Sequence, residues 1–182
     1  TSDAEAFSAV EDIPENGATE KASILAKTDL APAWAGENPL LCIAGRTVLD
    51  EAAAMMMAHL ATAHGIAGRV EAADSLATAN VFRLDTTGIA AVCLIYLDAG
   101  VPSHMRYAIK RLRRKLPNAR IILCCWTDPI DRDDLERRRG DAKADFAAAS
   151  PSEALQLCID AARVRNDVAP GAESPMLAVA GA

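Results

Sequence analysis

No stretch of this chain approaches the roughly 20 consecutive apolar residues that a membrane-crossing helix requires, and its N-terminus lacks a basic segment leading into an apolar one. Neither a membrane span nor a secretion leader is therefore read in these 182 residues. A positive excess is missing as well. Residues 39–182 carry seventeen acids and seventeen bases, while residues 1–38 carry eight acids and two lysines, so the formal net charge of −6 lies in the N-terminal segment. A neutral folded part offers nucleic acid no electrostatic attraction, and no nucleic-acid partner is expected. Regularly spaced cysteines are absent too. Cys42, Cys93, Cys124, Cys125 and Cys158 fall inside apolar runs and read as small core residues in a reducing compartment. Adjacent Cys124 and Cys125 would project to opposite faces of a strand, which argues against joint chelation of a metal. No metal and no cofactor is expected.

About half of the chain, 51%, is apolar, enough for one domain with a real core. Residues 1–38 are acidic and rich in Ala, Pro, Gly and Ser without an apolar period, which predicts a flexible linker, with Trp34 placed to anchor it on the domain. Residues 168–182 predict a second flexible tail, leaving 39–167 as the domain. The first residue is Thr1 rather than Met, which predicts a piece of a longer polypeptide.

Within the domain, apolar runs alternate with helical periods. A run at 39–44 ends at Gly45, after which Leu49, Ala52, Ala53, Met56, Leu60 and Ala63 recur at helical spacing. Residues 69–72 predict a short strand, and Asp74-Ser75 caps a predicted helix through Leu76, Ala79 and Phe82 toward Asp85. Residues 89–97 predict a strand buried on both faces. Pro102 opens a helix with Met105, Ile109, Leu112 and Leu116 inward, stopping before Pro117. A strand at 120–126, a charged helix at about 129–138 and a strand at 144–148 follow. Ser150-Pro151-Ser152-Glu153 is a capping box opening the last helix. Five strands alternating with helices predict an α/β, doubly wound, five-stranded parallel sheet of flavodoxin-like order 2-1-3-4-5 between two helical layers.

In such sheets the crevice at the carboxyl ends of strands one and three is the usual ligand site, which points to Gly45, Arg46 and Asp50 and to Asp98, Ser103 and His104. The turn Gly45-Arg46 precedes a helix, so its amides could hold an anion; the competing reading is a tight turn in which Arg46 pairs with Asp50 or Glu51. It has neither the glycine spacing of a dinucleotide fold nor a phosphate-loop lysine. Ser103 beside Pro102 lacks the strained elbow of a hydrolase and reads as a helix cap, and no nucleophile and base pair emerges. No catalytic residue is assigned. Trp126 ends the fourth strand, where it either walls a pocket or covers the core. The acids Asp128, Asp131, Asp133 and Asp134 with Arg137, Arg138 and Arg139 follow a helix dipole rather than a calcium loop. Arg106, Lys110, Arg113 and Arg114 make the third helix basic outside, a face suited to anionic lipid, to an acidic partner or to plain solvation.

The "AGR..LDEAA" turn at 44–53, the small-residue helix after it and the strand, proline, "RLRR.LP" helix and strand that follow resemble the soluble C-terminal extension of bacterial permeases of the autoinducer-2 exporter-like (PerM-like) family, over about residues 39–126. The resemblance implies a non-enzymatic regulatory or interaction domain on the cytoplasmic face of the inner membrane. Its implied partners are the membrane domain of the parent permease and a second copy of itself. The layout is also similar to cobalamin-binding domains, which implies an independent small-molecule or anion binder. Those domains ligate cobalt through a histidine in the first turn, and the turn Gly45–Asp50 has none. Phosphoacceptor receiver domains share the layout too. They need paired acids after strand one and a lysine after strand five, where this chain has Ala44-Gly45 and Ala148-Ala149.

Overall fold

The computed structural model describes residues 24–98, 102–126 and 131–163. Strands β1 (Leu40–Ala44), β2 (Gly68–Glu71), β3 (Ala91–Tyr96), β4 (Arg120–Cys125) and β5 (Phe146–Ala148) form one parallel sheet in the order β2-β1-β3-β4-β5. Strands β1 and β3 are buried along their whole length, and β4 along all but Arg120, which is why they read as unbroken apolar runs. Helices α1 (Val48–Ala63) and α4 (Pro151–Ala162) cover one face; α2 (Pro102–Lys115) and α3 (Arg132–Ala142) cover the other. The flavodoxin-like α/β class is the one expected.

Local chemistry sets the helix ends. Ser150 Oγ accepts the Glu153 N–H (3.2 Å), and Pro151 fills the first helical position. The Glu153 carboxylate reaches one residue further back than a regular capping box, accepting from Ala149 N–H (2.7 Å), and pairs with Arg132 (2.6 Å), which fastens α4 to α3. Along α3, Asp134 pairs with Arg137 and Arg138 and Glu136 with Arg139. The helix runs four residues past its expected end and stops where Lys143 turns to φ 61°.

Three features depart from the sequence-based expectation. Residues 74–85 form no α-helix: a 3-10 turn spans Ala73–Leu76 and open turns follow. The buried side chains there, Leu76, Val81 and Leu84, lie five and three residues apart, and Phe82 is exposed. Asn80 Nδ2 donates to the backbone and carboxylate of Asp74, a local bond that competes with helical pairing. Next, α1 packs through Ala53, Ala54, Met57, Ala58 and Ala61 and leaves Leu49 and Met56 outside. Small side chains let α1 lie close on the sheet: a Cβ at Gly68 of β2 would stand 3.7 Å from the Ala58 Cα. Finally, residues 24–38, expected within the linker, are built into the domain. Leu25 and Trp34 are buried, each worth about 1.5–3 kcal/mol relative to exposure. Leu25 N–H donates to His64 O and Ala31 N–H to Ala162 O, and Leu30 bridges Arg163. The carbonyl of Leu25 lies 2.2 Å from where a Cβ of Gly65 would be, at φ 88°, so only glycine ends α1 there. The rest of the expected linker, 1–23, the expected tail, 168–182, and residues 164–167 before it lie outside the described residues.

All five cysteines are buried. Four of them, Cys42, Cys93, Cys124 and Cys158, share the core under α1 and α4, with Cys93 Sγ 3.8 Å from Cys158 Sγ. Thiol contacts with Cys124, Cys158 and Cys42, together with burial, hold the Cys93 thiol well above its ordinary range. Burial pushes Cys125, on the other face, up to about 12. Thiols this buried are unreactive core groups. Among the described residues no cluster of His, Cys, Asp or Glu is arranged to hold a metal ion.

Candidate functional site

The chain leaves β1 at Ala44 and enters α1 at Val48, while the path from β2 crosses over β1 to reach β3. The carboxyl ends of β1 and β3 therefore diverge, and a crevice of about 400 Å³ opens there. It is lined by Gly45, Arg46, Val48, Glu51, Asp74 and His104.

Two buried groups hold the turn beside it. Asp50 is buried, 3% exposed, and its carboxylate accepts from Arg46 N–H (2.9 Å) and Thr47 N–H (2.9 Å) through Oδ2 and from Leu97 N–H (2.8 Å) through Oδ1. Thr47 returns the contact, its Oγ1 accepting from Asp50 N–H (3.1 Å). The turn's amides do hold an anion, and it is the chain's own carboxylate. The second group is Tyr96, the last residue of β3, which lies against Gly45. A Cβ on Gly45 would stand 2.3 Å from the Tyr96 ring and 2.8 Å from the Ile95 carbonyl oxygen. Burial raises the phenol pKa well above its usual range, so the hydroxyl stays protonated. It lies 3.1 Å from His104 Nδ1, the two rings edge to face. Burial and the nearby Arg46 and Arg111 lower the His104 pKa, favouring a neutral ring to which the phenol can donate.

The expected residues part company here. Gly45, Arg46 and His104 meet in the crevice, and Asp50 lies buried behind the turn, bonded to the backbone of Arg46, Thr47 and Leu97. Arg46 meets Asp50 through its backbone N–H; its guanidinium has no ion-pair partner among the described residues. Asp98 is exposed at the end of β3, before residues 99–101, which lie outside the described residues. Ser103 is the second residue of α2 rather than its cap and faces a groove between α2 and α3. Trp126 packs against the α1/α4 core, away from the crevice, and its indole N–H has no partner among the described residues. Of the basic residues of α2, Arg113 pairs with Asp145 (2.5 Å) and Arg111 donates to Leu76 O (2.5 Å) and Thr78 Oγ1 (2.8 Å). The lining residues that sequence reasoning missed are Glu51, Ala73 and Asp74, and it missed Tyr96 as the buried ring behind Gly45. Tyr96 carried a signal, as the one aromatic ring in the β3 run.

No protein-family model matches the chain, and no curated protein matches it by sequence. Among solved structures it is similar to a cobalamin-binding protein from Desulfitobacterium hafniense DCB-2, with a TM-score of 0.54 and 12% identity. The likeness covers 69% of this chain and 59% of that one, so the chain spans less than two thirds of its neighbour's length. No helix among the described residues is long and apolar enough to cross a membrane. At that identity the likeness establishes a shared fold, and the chain is a doubly wound, flavodoxin-like α/β domain of the kind on which a cobalamin-binding protein is also built.

Proposed function

We propose that the domain is a non-enzymatic small-molecule or anion binding module whose site is the crevice at the carboxyl ends of β1 and β3. One observation carries the reading: the Arg46 guanidinium lines the crevice without an ion-pair partner among the described residues, beside an exposed Val48 and above amides that Asp50 has already neutralised. A ligand with an apolar body and an anionic edge matches that surface. Cobalamin ligated through a first-turn histidine does not fit. Thr47 caps α1 in that turn, Asp50 occupies its amides and the Tyr96 ring fills the space beside Gly45.

Thermal-shift and calorimetric titration with corrinoids and simple dicarboxylates tests the reading. One class raises Tm, and Arg46→Ala weakens its binding about tenfold, the loss of one charge-assisted contact, while stability without ligand moves by less than about 0.5 kcal/mol. A flat response across the panel overturns it.

A second reading, a regulatory domain of a membrane transporter of the permease type resembled by the sequence, is favoured by the outer face of α1. Val48, Leu49, Met55 and Met56 are 78%, 69%, 51% and 65% exposed on one helix, an apolar surface of roughly 400 Å² at about 100 Å² per side chain. Patches of this size mark contact sites. On this reading the stripe meets the membrane domain of the parent permease at the cytoplasmic face of the inner membrane. Met56→Glu then leaves the fold intact and lowers flux through the full-length transporter several-fold. Unchanged flux removes the idea.

A further inference from the structure

A second concavity lies between α2 and α3, on the sheet face opposite α1, with a volume of about 480 Å³. Ile109 and Ala142, both buried, form its apolar part, and the exposed ring of Tyr107 stands beside them. Three cations, Arg106, Lys110 and Lys143, line it against one carboxylate, Asp141. Arg113 also lines it but is spent on Asp145 and on the Ala119 carbonyl. The side chains of Arg106, Lys110 and Lys143 have no ion pair or hydrogen bond among the described residues, so their charge is uncompensated. On the α3 side of the groove, by contrast, Arg137, Arg138 and Arg139 are paired along their own helix.

Lys143 adds an independent indication. It ends α3 at φ 61°, ψ 39°, the left-handed region in which glycine is the favoured residue and a lysine is strained. The strain delivers a positively charged side chain to the groove, which glycine would not. Residues held in sparsely populated backbone regions cluster at ligand sites.

We infer that this groove is a binding site for a soluble organic phosphate carrying a flat or apolar body, its phosphate held by Arg106, Lys110 and Lys143 and its body laid against the exposed ring of Tyr107. Two or more negative charges on one group match three clustered cations better than a single carboxylate does. The concave shape favours a soluble ligand over a membrane. A bilayer presents a flat surface and cannot reach between the two helices to Ile109.

The test uses the full chain, with a nucleoside diphosphate as the soluble probe, pyrophosphate as a competitor without the flat body, and phosphatidylglycerol vesicles as the membrane arm. Saturable nucleotide binding is expected, weakened about tenfold by Lys143→Gly and by Lys110→Ala, reduced by Tyr107→Ala, and unaffected by Arg46→Ala. The glycine variant separates binding from folding: by relieving the left-handed strain it raises Tm by about 2–4 °C while it loses affinity. Absence of nucleotide binding, binding indifferent to Lys143→Gly and Lys110→Ala, or binding to vesicles alone each overturns the inference. Nucleotide binding abolished by Arg46→Ala instead assigns it to the crevice and likewise overturns the groove.

Discussion

Replacing Asp50 with alanine lowers the free energy of unfolding by about 3–4 kcal/mol, a large share of the 5–15 kcal/mol typical of such a domain. The loss has three components. Without the carboxylate, Arg46 and Thr47 lose their acceptor at the start of α1, which costs about 1 kcal/mol because both residues are exposed and water takes its place. Leu97 N–H fares worse. It lies half-buried at the end of β3, and an amide left without an acceptor there costs about 1–3 kcal/mol. The negative charge near the helix N-terminus adds a few tenths to 1 kcal/mol more. Thr47→Ala removes only the reciprocal cap and costs about 1 kcal/mol. Asp50→Asn falls between the two, because one oxygen remains to accept on one side only. Urea unfolding of the three variants decides the matter. If Asp50→Ala proves as mild as Thr47→Ala, then the bond to Leu97 does not tie the first turn to β3.

Gly45→Ala is the second large effect, about 3 kcal/mol of destabilisation through overpacking. The added methyl meets the Tyr96 ring at 2.3 Å and the Ile95 carbonyl oxygen at 2.8 Å. A side chain can rotate; a strand carbonyl that already accepts the Gly45 N–H at 2.7 Å cannot. The two contacts are separable by a double-mutant cycle. In a Tyr96→Leu background the Gly45→Ala cost falls by about 1 kcal/mol or more, and what remains belongs to the backbone. Strictly additive losses would mean that the ring does not confine the glycine.

These two residues show what the sequence could and could not reveal. Strand order and most boundaries were legible because β1, β3 and β4 are buried on both faces and therefore unbroken in hydrophobicity, and because Pro102, Pro117 and Ser150-Pro151 punctuate the helices. The face of α1 was not legible. Leu49, Ala52, Met56 and Ala63 make as good an apolar stripe as Ala53, Met57 and Ala61, and a helix apolar all round gives no phase. Packing chose the stripe of smaller side chains because β2 comes close to Ala58 at Gly68. The segment 74–85 misled for a different reason: Asp74-Ser75 is a sound cap, but Asn80 bonds back to Asp74 and ends the helix before it begins. At the crevice, the spacing from Thr47 to Asp50 announced a cap. The third bond of Asp50, to Leu97, joins residues 47 positions apart and has no local signature. Lys143 was equally silent, since left-handed backbone is invisible in a lysine.

The bridge between Leu30 and Arg163 has a mechanical meaning. The two residues pair antiparallel, so the segment leading toward β1 is fastened to the end of α4. Tension applied through both ends peels this single bridge and loads the contacts of Leu25 with His64 and of Ala31 with Ala162 one after another, rather than shearing the sheet. A domain wired in this way transmits little force to its own core.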